Sequence, residues 1–230
     1  MSHTRLDPEN QPPFLYEGYH TTARRAPRQP LVFIPHTLSE RTGPIFASTP
    51  ITEADRDLTK QSAGGEPIGQ RLIVEGRVVD DNGKPLPNTL IELWQTNAAG
   101  RYRHKLDDFP APLDPNFQGY GRVKTDKDGK YRFLTIKPGA YPWGNHPNAW
   151  RPAHIHFSLF GPSFVQRFIT QMYFEGDQML EYDPVFQAVP DRAKHRVLAN
   201  FDIGITEEKF ALGYRFDLVL RGPDATPCEE

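Results

Sequence analysis

Two histidines separated by one residue, His154 and His156, lie in the densest group of reactive side chains in the sequence. If this segment is a β-strand, its period of two directs both imidazoles to the same side. Two neutral nitrogen donors on one rigid element provide half of a metal site. A His-x-His pair is also frequent on ordinary strand surfaces, so the pair alone indicates metal binding only weakly.

The other available ligands decide which metal such a site would hold. The single cysteine, Cys228, excludes an intrachain disulfide and a thiolate cluster, and no carboxylate lies near the two histidines in the sequence. A site of two histidines and one carboxylate for ferrous iron therefore has no local support. Tyrosine is the remaining anionic candidate, and its phenol, with a pKa of about 10, needs a strong Lewis acid to lose its proton. Fe(III) is such an acid.

The overall charge argues against two classes of partner. Lys and Arg total 27 against 29 Asp and Glu, which gives a net charge of −2 and no field that would attract nucleic acid. The N-terminal segment lacks the apolar core of a secretory signal, and no later stretch is apolar enough to span a bilayer. We therefore expect a soluble cytoplasmic protein without nucleic-acid or membrane partners.

The distribution of proline, glycine and β-branched residues predicts an all-β fold. The chain contains 23 Pro and 18 Gly, which disfavour long helices. A β-branched run at 72–79 stops at Asn82-Gly83, a dipeptide typical of hairpins. We predict an antiparallel β-sandwich with short helices in its loops, including one helix at 191–200. Further strands are expected at 89–94, 131–136, 154–160, 167–174 and 214–220.

The N-terminal quarter differs in composition from the rest of the chain. Residues 1–66 have repeated prolines and little periodicity, yet they contain apolar side chains such as Phe14, Phe33, Ile34 and Phe46. These are too many for a solvated tail. We predict an arm over residues 1–66 that packs on the body or on a partner subunit, and a catalytic β-sandwich domain over residues 67–230.

Several motifs together resemble the intradiol ring-cleavage dioxygenases. The resemblance covers nearly the whole chain and is closest to the members that act on protocatechuate (3,4-dihydroxybenzoate). The motifs that carry it are Gly83-Lys84-Pro85-Leu86-Pro87-Asn88-Thr89-Leu90, Gly100-Arg101-Tyr102-Arg103-His104, Ile136-Lys137-Pro138-Gly139-Ala140-Tyr141-Pro142-Trp143 and, above all, Trp150-Arg151-Pro152-Ala153-His154-Ile155-His156.

The resemblance implies a mononuclear, non-haem Fe(III) site. Its ligands would be Tyr102, Tyr141, His154 and His156, with a solvent hydroxide as the fifth ligand. Two phenolates and one hydroxide would balance the three charges of the ion and reduce the cost of burying it. Without the family match, Tyr141 would be interpreted as a packed ring beside a proline.

The resemblance also implies how the site would work. The catechol would bind through both oxygens in place of hydroxide and Tyr141, and Fe(III) would activate the ring toward O2. Arg151, whose guanidinium is always charged, would stabilise the released phenolate. Contacts to the substrate are expected from Tyr19, Trp143, Ile155 and Gln171.

The implied reaction is the cleavage of protocatechuate to 3-carboxy-cis,cis-muconate, a step of the β-ketoadipate pathway of aromatic catabolism. The implied partner is an iron-free, homologous α chain that completes the pocket in αβ units of a larger oligomer. Catechol and hydroxyquinol 1,2-dioxygenases begin with a helical dimerisation region, whereas residues 1–66 indicate no helix. The alternatives are such a catechol dioxygenase, a transthyretin-like β-sandwich binding module, or a Zn or Fe(II) cupin.

Overall fold

A computed structural model of the chain describes residues 9–32, 50–161 and 167–229. These residues form mostly strands, with α-helices of a single turn at Thr22–Arg25, Glu53–Arg56, Pro184–Gln187 and Asp191–Lys194. The strands are β1 (Arg71–Val79), β2 (Leu90–Trp94), β3 (Tyr120–Lys124), β4 (Lys130–Ile136), β5 (Tyr141–Pro142), β6 (Trp150–Arg151), β7 (His154–Phe160), β8 (Phe168–Phe174), β9 (Leu198–Phe201), β10 (Leu212–Arg215) and β11 (Leu218–Val219).

The large sheet is mixed rather than purely antiparallel. Its strand order is β11-β1-β10-β9-β8-β7-β2-β3, and β4 pairs with β1 as well. Strand β1 runs parallel to β10 and β11, and β8 runs parallel to β9, whereas the other pairs of this sheet are antiparallel. The predicted all-β class is confirmed, but antiparallel pairing throughout is wrong at these three places.

The core lies between strands that are distant in the order of the sheet. Tyr131 and Phe133 of β4 pack their rings on Phe157 of β7, with centroids 6.0 and 5.9 Å apart. Leu72 and Val74 of β1 are fully buried in the same cluster. Burying one such large apolar side chain stabilises the fold by roughly 1.5–3 kcal/mol. The sheet therefore curls so that β1 and β4 face β7 across the core.

Strand β7 is paired along both edges, with β2 and β8, and its side chains are buried on both faces. Alternation along the strand directs Ile155, Phe157 and Leu159 into the core cluster. The opposite face carries His154 and His156, which are 2% and 8% exposed. The candidate histidines thus project from the back of a rigid core strand.

The predicted turn at Asn82-Gly83 forms and is closed by hydrogen bonds from Asp80 to Lys84 and from Leu86 to Val78, but the hairpin does not continue into β2. The Asp80 carboxylate accepts a hydrogen bond from the backbone N–H of Asn82, and Gly83 has φ +74°. The strand pairing stops at an isolated bridge between Val79 and Pro85. Strand β2 instead pairs with β3 and β7, so the turn passes the chain from one part of the sheet to another.

Two other predicted elements differ from the structure. The expected helix at 191–200 ends at Lys194 and continues as a 3-10 turn at His195–Val197 and then as β9. The helix was expected because the segment is short and amphipathic. Its second half instead pairs in parallel with the edge of β8. The expected strand at 214–220 is divided into β10 and β11 at Phe216, whose side chain is buried in the core.

The described part of the N-terminal arm lies on the body of the protein. The Asn145 side chain donates to the Gly18 carbonyl at 2.8 Å and accepts from the His20 N–H at 2.9 Å. Gln11 accepts from the Cys228 N–H at 2.7 Å. The predicted apolar contributors Phe33, Ile34 and Phe46 lie outside the described residues.

The end of the predicted arm belongs to the body. Leu58 is fully buried against Phe117 and Ile136, and Asp55 forms an ion pair with Arg122 of β3. The single-turn helices Thr22–Arg25 and Glu53–Arg56 also lie in a region where no helix was expected. The domain boundary at residue 66 stays a prediction.

No helix of the described residues is long and apolar enough to cross a membrane.

Two glycines allow close contact between the loops that lead to the two candidate tyrosines. A Cβ on Gly139 would lie 2.4 Å from the Gly100 nitrogen, and a Cβ on Gly100 would lie 2.0 Å from the Ala140 oxygen. The Asn97 carbonyl accepts from the N–H groups of both glycines, at 2.9 and 3.0 Å. A side chain at either position would therefore push the loops apart.

We expect the substitution Gly139→Ala to lower the free energy of unfolding by about 1–3 kcal/mol, because the added methyl group is forced against backbone atoms. Urea denaturation of this variant measures the effect. Gly144→Ala is the control, since no atom lies within 4 Å of the Cβ that it would add. Equal stability of the two variants would show that the loops do not need the glycine.

Candidate metal centre

The two histidines bring their Nε2 atoms together. The predicted strand at 154–160 is confirmed as β7, and both imidazoles project from the same face of it. The Nε2 atoms of His154 and His156 are 3.2 Å apart. In addition, the Tyr141 hydroxyl oxygen lies 3.4 Å from His154 Nε2. Potential donor atoms of two other side chains therefore lie within 3.4 Å of His154 Nε2.

The tautomer of His154 follows from its backbone partner. Its Nδ1 lies 2.8 Å from the Pro152 carbonyl oxygen. A carbonyl only accepts, so Nδ1 carries the hydrogen and Nε2 is left with a free lone pair. Burial, together with the charge of Arg151, lowers the pKa of His154 well below its usual value. The ring is therefore neutral at physiological pH and can bind a metal.

His156 is held by an aromatic ring and faces a carboxylate. Its imidazole stacks on Trp94, its partner on β2, with centroids 4.7 Å apart and an interplanar angle of 4°. Burial lowers the pKa of His156, although the nearby Glu229 opposes this shift. The His156 Nδ1 lies 3.6 Å from a Glu229 carboxylate oxygen. Burial alone would raise the pKa of Glu229, but the interactions with His156 bring it to about 2.

The arrangement fits a metal cation. Because an ionised carboxylate faces Nδ1 of His156, the hydrogen of this ring belongs on Nδ1, and Nε2 is bare. Two bare nitrogens 3.2 Å apart repel each other unless a cation lies between them. Metal bonds of roughly 2.1 Å that meet at about 90–110° give donor separations of about 3.0–3.4 Å. The distances from His154 Nε2 to His156 Nε2 and to the Tyr141 oxygen, 3.2 and 3.4 Å, lie in this range.

The two tyrosines come from separate segments of the chain. Tyr141 in β5 is the direct partner of Arg151 in β6. The Tyr102 ring meets the Tyr141 ring edge to face, with centroids 5.3 Å apart. The Tyr102 backbone N–H is fixed by a hydrogen bond of 2.7 Å to the Asp107 carboxylate. The backbone at Tyr141 is therefore fixed by strand pairing, and the backbone at Tyr102 by the Asp107 carboxylate.

The pKa shifts of the tyrosines specify what kind of ion could bind them. Burial, together with the nearby Tyr141, raises the pKa of Tyr102 well above its usual value. Burial also raises the pKa of Tyr141, although Arg151 works against this shift. Both side chains are thus neutral phenols at physiological pH. Only a strongly Lewis-acidic cation such as Fe(III) could replace their protons.

Carboxylates do not offer an alternative ligand set in the described part of the chain. Across residues 9–32, 50–161 and 167–229, no group of three His, Cys, Asp or Glu side chains could hold a metal ion. In this region, the further side-chain oxygen seen beside the two histidines is that of Tyr141, 3.4 Å from His154 Nε2. This argues against the His-His-carboxylate and cupin alternatives.

Arg151 is buried in a network that fixes its orientation. It is 4% exposed, and its Nε and Nη2 donate to the two oxygens of the fully buried Asp183 at 3.1 and 2.9 Å. Nη2 also donates to Gln171 Oε1 at 2.6 Å and to the Tyr173 hydroxyl at 2.7 Å. Burial on its own would lower the pKa of Arg151, but Tyr173 and Asp183 raise it well above its usual value. The guanidinium is permanently charged.

Three of the predicted substrate-contact residues lie around this network. The Arg151 guanidinium is 5.4 Å from the Trp143 ring, and the Tyr19 ring is also 5.4 Å from that of Trp143. Gln171 on β8 is the direct partner of His156. Tyr19 therefore brings the described part of the arm next to the candidate centre.

The structure does not support the predicted role of Ile155 in the pocket wall. Its side chain is fully buried in the hydrophobic core cluster. The alternation that directs His154 and His156 to one face of β7 directs Ile155 to the other. The same strand period that predicted the histidine pair could have corrected this assignment.

Sequence reasoning missed four residues that support the site, namely Trp94, Tyr173, Asp183 and Glu229. Trp94 and Tyr173 are the partners of His156 and His154 across the sheet, so the strand register would have identified them. The carboxylates of Asp183 and Glu229 reach the site over long sequence separations that no local pattern indicates.

A cavity of about 230 Å³ lies beside the site, between the arm and the C-terminal residues. Its lining includes Tyr19, Arg25, Val185 and Glu229, but none of the four candidate ligands. Because Tyr19 packs on Trp143 and Glu229 faces His156, the cavity is separated from the candidate centre by a single layer of side chains.

We expect Asp183→Asn to lower the free energy of unfolding by about 3–5 kcal/mol, because it leaves the buried Arg151 charge without a counter-charge. Chemical denaturation measures the loss. The control is Asp191→Asn, which removes a carboxylate that is 95% exposed and pairs with Lys194, so that it should hardly change the stability. If the Asp183 variant is as stable as this control, the buried pair does not stabilise the site.

Two family models match the chain. The model described as "Dioxygenase" matches residues 41–222, and the model described as "Protocatechuate 3,4-dioxygenase beta subunit N terminal" matches residues 5–37. Together they span the predicted arm, all four candidate ligands and Arg151. The second model assigns the arm to a particular subgroup.

Individual relatives agree with these matches. The chain is 54% identical to the protocatechuate 3,4-dioxygenase beta chain of Burkholderia cepacia, over 98% of its own length and 97% of that protein. The alpha chain from the same organism is 28% identical, over 69% of this chain and 76% of that protein. The chain spans about half the length of the chlorohydroxyquinol and catechol 1,2-dioxygenases that it also matches.

A solved structure shows the same fold. The 3-chlorocatechol 1,2-dioxygenase of Rhodococcus opacus superposes with a TM-score of 0.53 at 28% identity, over 66% of this chain and 60% of that one. The match therefore covers about two thirds of each chain rather than the whole of either.

Proposed function

The chain belongs to the intradiol ring-cleavage dioxygenases, and from this premise we propose that it cleaves protocatechuate with O2 to give 3-carboxy-cis,cis-muconate. The reaction is a step of the β-ketoadipate pathway of aromatic catabolism. The identity of 54% to a protocatechuate 3,4-dioxygenase beta chain, which extends over both whole chains, supports this substrate over catechol or hydroxyquinol.

The observation that carries the proposal is the meeting of donor atoms from β5 and β7. Nε2 of His154 lies 3.2 Å from Nε2 of His156 and 3.4 Å from the Tyr141 oxygen, and the Tyr102 ring packs against Tyr141. We propose that these four side chains hold one Fe(III). The chemistry that this ion supplies when bound is Lewis-acid activation of the catecholate ring toward O2.

Tyr141 and Arg151 have the arrangement that proton transfer would need. We propose that the Tyr141 oxygen accepts one phenolic proton of the catechol when the substrate takes its place. Arg151 is the direct strand partner of Tyr141 and remains charged throughout, so it would stabilise the phenolate form of Tyr141 until the proton arrives. Asp183 keeps the guanidinium in place for this role.

Three other side chains would orient the substrate. Tyr19 and Trp143 form an aromatic pair beside Arg151, which suits the flat ring of a catechol. Gln171 is fixed through its Oε1 by Arg151, so its amide group keeps one orientation next to His156. We propose that these residues contact the bound ring and the incoming oxygen.

A second chain is part of the proposal. We propose that an iron-free, homologous α chain pairs with this chain in a larger oligomer, as the names of the two Burkholderia relatives suggest for those proteins. The arm exposes Leu15, Leu31 and Val32 at 61%, 66% and 83%, a surface that such a partner could cover.

We also propose that the strands form a two-layer sandwich and that the protein is cytoplasmic, as the sequence predicts.

The iron-loaded protein should absorb visible light through phenolate-to-Fe(III) charge transfer. We expect Tyr102→Phe to weaken this absorption and to lower kcat/KM for protocatechuate at least about a hundred-fold, because losing a ligand costs more than losing a residue that supports one. Visible spectra and O2 uptake measure the two effects. Tyr182→Phe, at a tyrosine that is 71% exposed, is the control.

Each alternative function predicts a different result. A transthyretin-like binding module would be colourless and would not consume O2. A cupin with Zn or Fe(II) would keep its activity after both Tyr102→Phe and Tyr141→Phe. A catechol or hydroxyquinol dioxygenase would turn over its own substrate and leave protocatechuate untouched. Any of these results would contradict the proposed function.

A further inference from the structure

The C-terminal tail, residues 225–229, is tied to the body by its backbone. The Thr226 N–H donates to the Val219 carbonyl at 2.8 Å, and the Glu229 N–H donates to the Ile169 carbonyl at 2.7 Å. The Pro227 carbonyl accepts from the Thr170 hydroxyl at 2.7 Å. These bonds hold the tail along β8 and place the Glu229 side chain beside β7.

Two buried donor groups face this region without a hydrogen-bond partner among the described residues, namely His156 Nδ1 and Gln171 Nε2. The Gln171 amide cannot be reversed, because its Oε1 accepts from Arg151 and from the Tyr173 hydroxyl. A buried donor without an acceptor is unfavourable, because it has lost its hydrogen bonds to water. The Glu229 carboxylate is the acceptor that lies near this donor, with one oxygen 3.6 Å from His156 Nδ1, just beyond hydrogen-bond distance.

The two histidines are therefore supported differently. His154 donates to a backbone carbonyl, whereas Nδ1 of His156 faces the carboxylate of Glu229. A carboxylate partner fixes the orientation of a ligand imidazole and makes it a stronger electron donor. Nε2 of His156 would then donate electron density to the metal more strongly than Nε2 of His154.

We propose that Glu229 is a positioning residue of the metal centre, which accepts the Nδ1 hydrogen of His156 in the iron-loaded protein and strengthens this ligand. The inference rests on the proposed function, because it concerns a ligand of the proposed Fe(III). Its consequence is that the C-terminal tail, more than 70 residues away from His156 in the sequence, helps to set the electronic properties of the site.

A purely structural role of Glu229 predicts a different outcome. The tail is anchored through backbone atoms and the Thr170 hydroxyl, and none of these contacts uses the Glu229 carboxylate. Replacing this carboxylate should leave the tail in place. Effects on the metal can therefore be separated from effects on the fold.

The test uses Glu229→Gln and Glu229→Ala in the iron-loaded protein, purified together with its proposed α chain. The amide keeps a hydrogen-bond acceptor but loses the charge, and the alanine loses both. We expect the charge-transfer band to move to longer wavelength and the Fe(III)/Fe(II) potential to rise, in the order wild type, Gln, Ala. The iron affinity should fall about 10–100-fold in competition with a chelator.

The control is Glu208→Gln, which neutralises a carboxylate that is 85% exposed and pairs with Lys209. If both Glu229 variants match this control in band position, potential and iron affinity, the positioning role is overturned. If neither variant folds, Glu229→Asp tests the same contact, because it keeps the charge and the backbone anchor but shortens the reach of the carboxylate toward His156; the same shifts are expected, and their absence would overturn the role equally. A wild-type protein without any iron band would instead overturn the proposed function.

Discussion

The structure depends on an electrostatic constraint at the meeting point of β5 and β7. The Nε2 atoms of His154 and His156 lie 3.2 Å apart, and neither carries a hydrogen. Their lone pairs repel each other, and a bound cation would turn this repulsion into attraction. Burial keeps the imidazoles neutral and raises the pKa of both tyrosine phenols. A weakly acidic cation could not displace the two phenolic protons, whereas Fe(III) could, and the resulting phenolates would neutralise most of its charge.

The rest of the fold serves to keep these donors rigid. Strand β7 is packed on both faces and is paired along both edges, so its two histidines cannot shift without disturbing the core. The loop that leads to Tyr141 is held against the loop of Tyr102 by the close contact of two glycines. Arg151 places a permanent positive charge beside Tyr141, and the buried Asp183 compensates for this charge. Rigidity of this kind is what a preorganised catalytic site requires.

Local patterns predicted those parts of the site that lie close together in the sequence. The period of a strand was enough to place His154 and His156 on one face, and the family resemblance supplied Tyr102 and Tyr141. The contacts of Trp94 and Glu229 depend on strand register and on the path of the tail, which composition does not reveal. The helix expected at 191–200 failed for a related reason, since the edge of β8 converts its second half into a strand.

The most direct test of the account is a crystal structure of the iron-loaded protein with the metal located by its anomalous scattering. The account predicts one iron ion per chain, bonded to Nε2 of His154, Nε2 of His156 and the phenolate oxygens of Tyr102 and Tyr141. A fully assembled protein without iron, or one whose iron lies beyond bonding distance of both tyrosines, would contradict it.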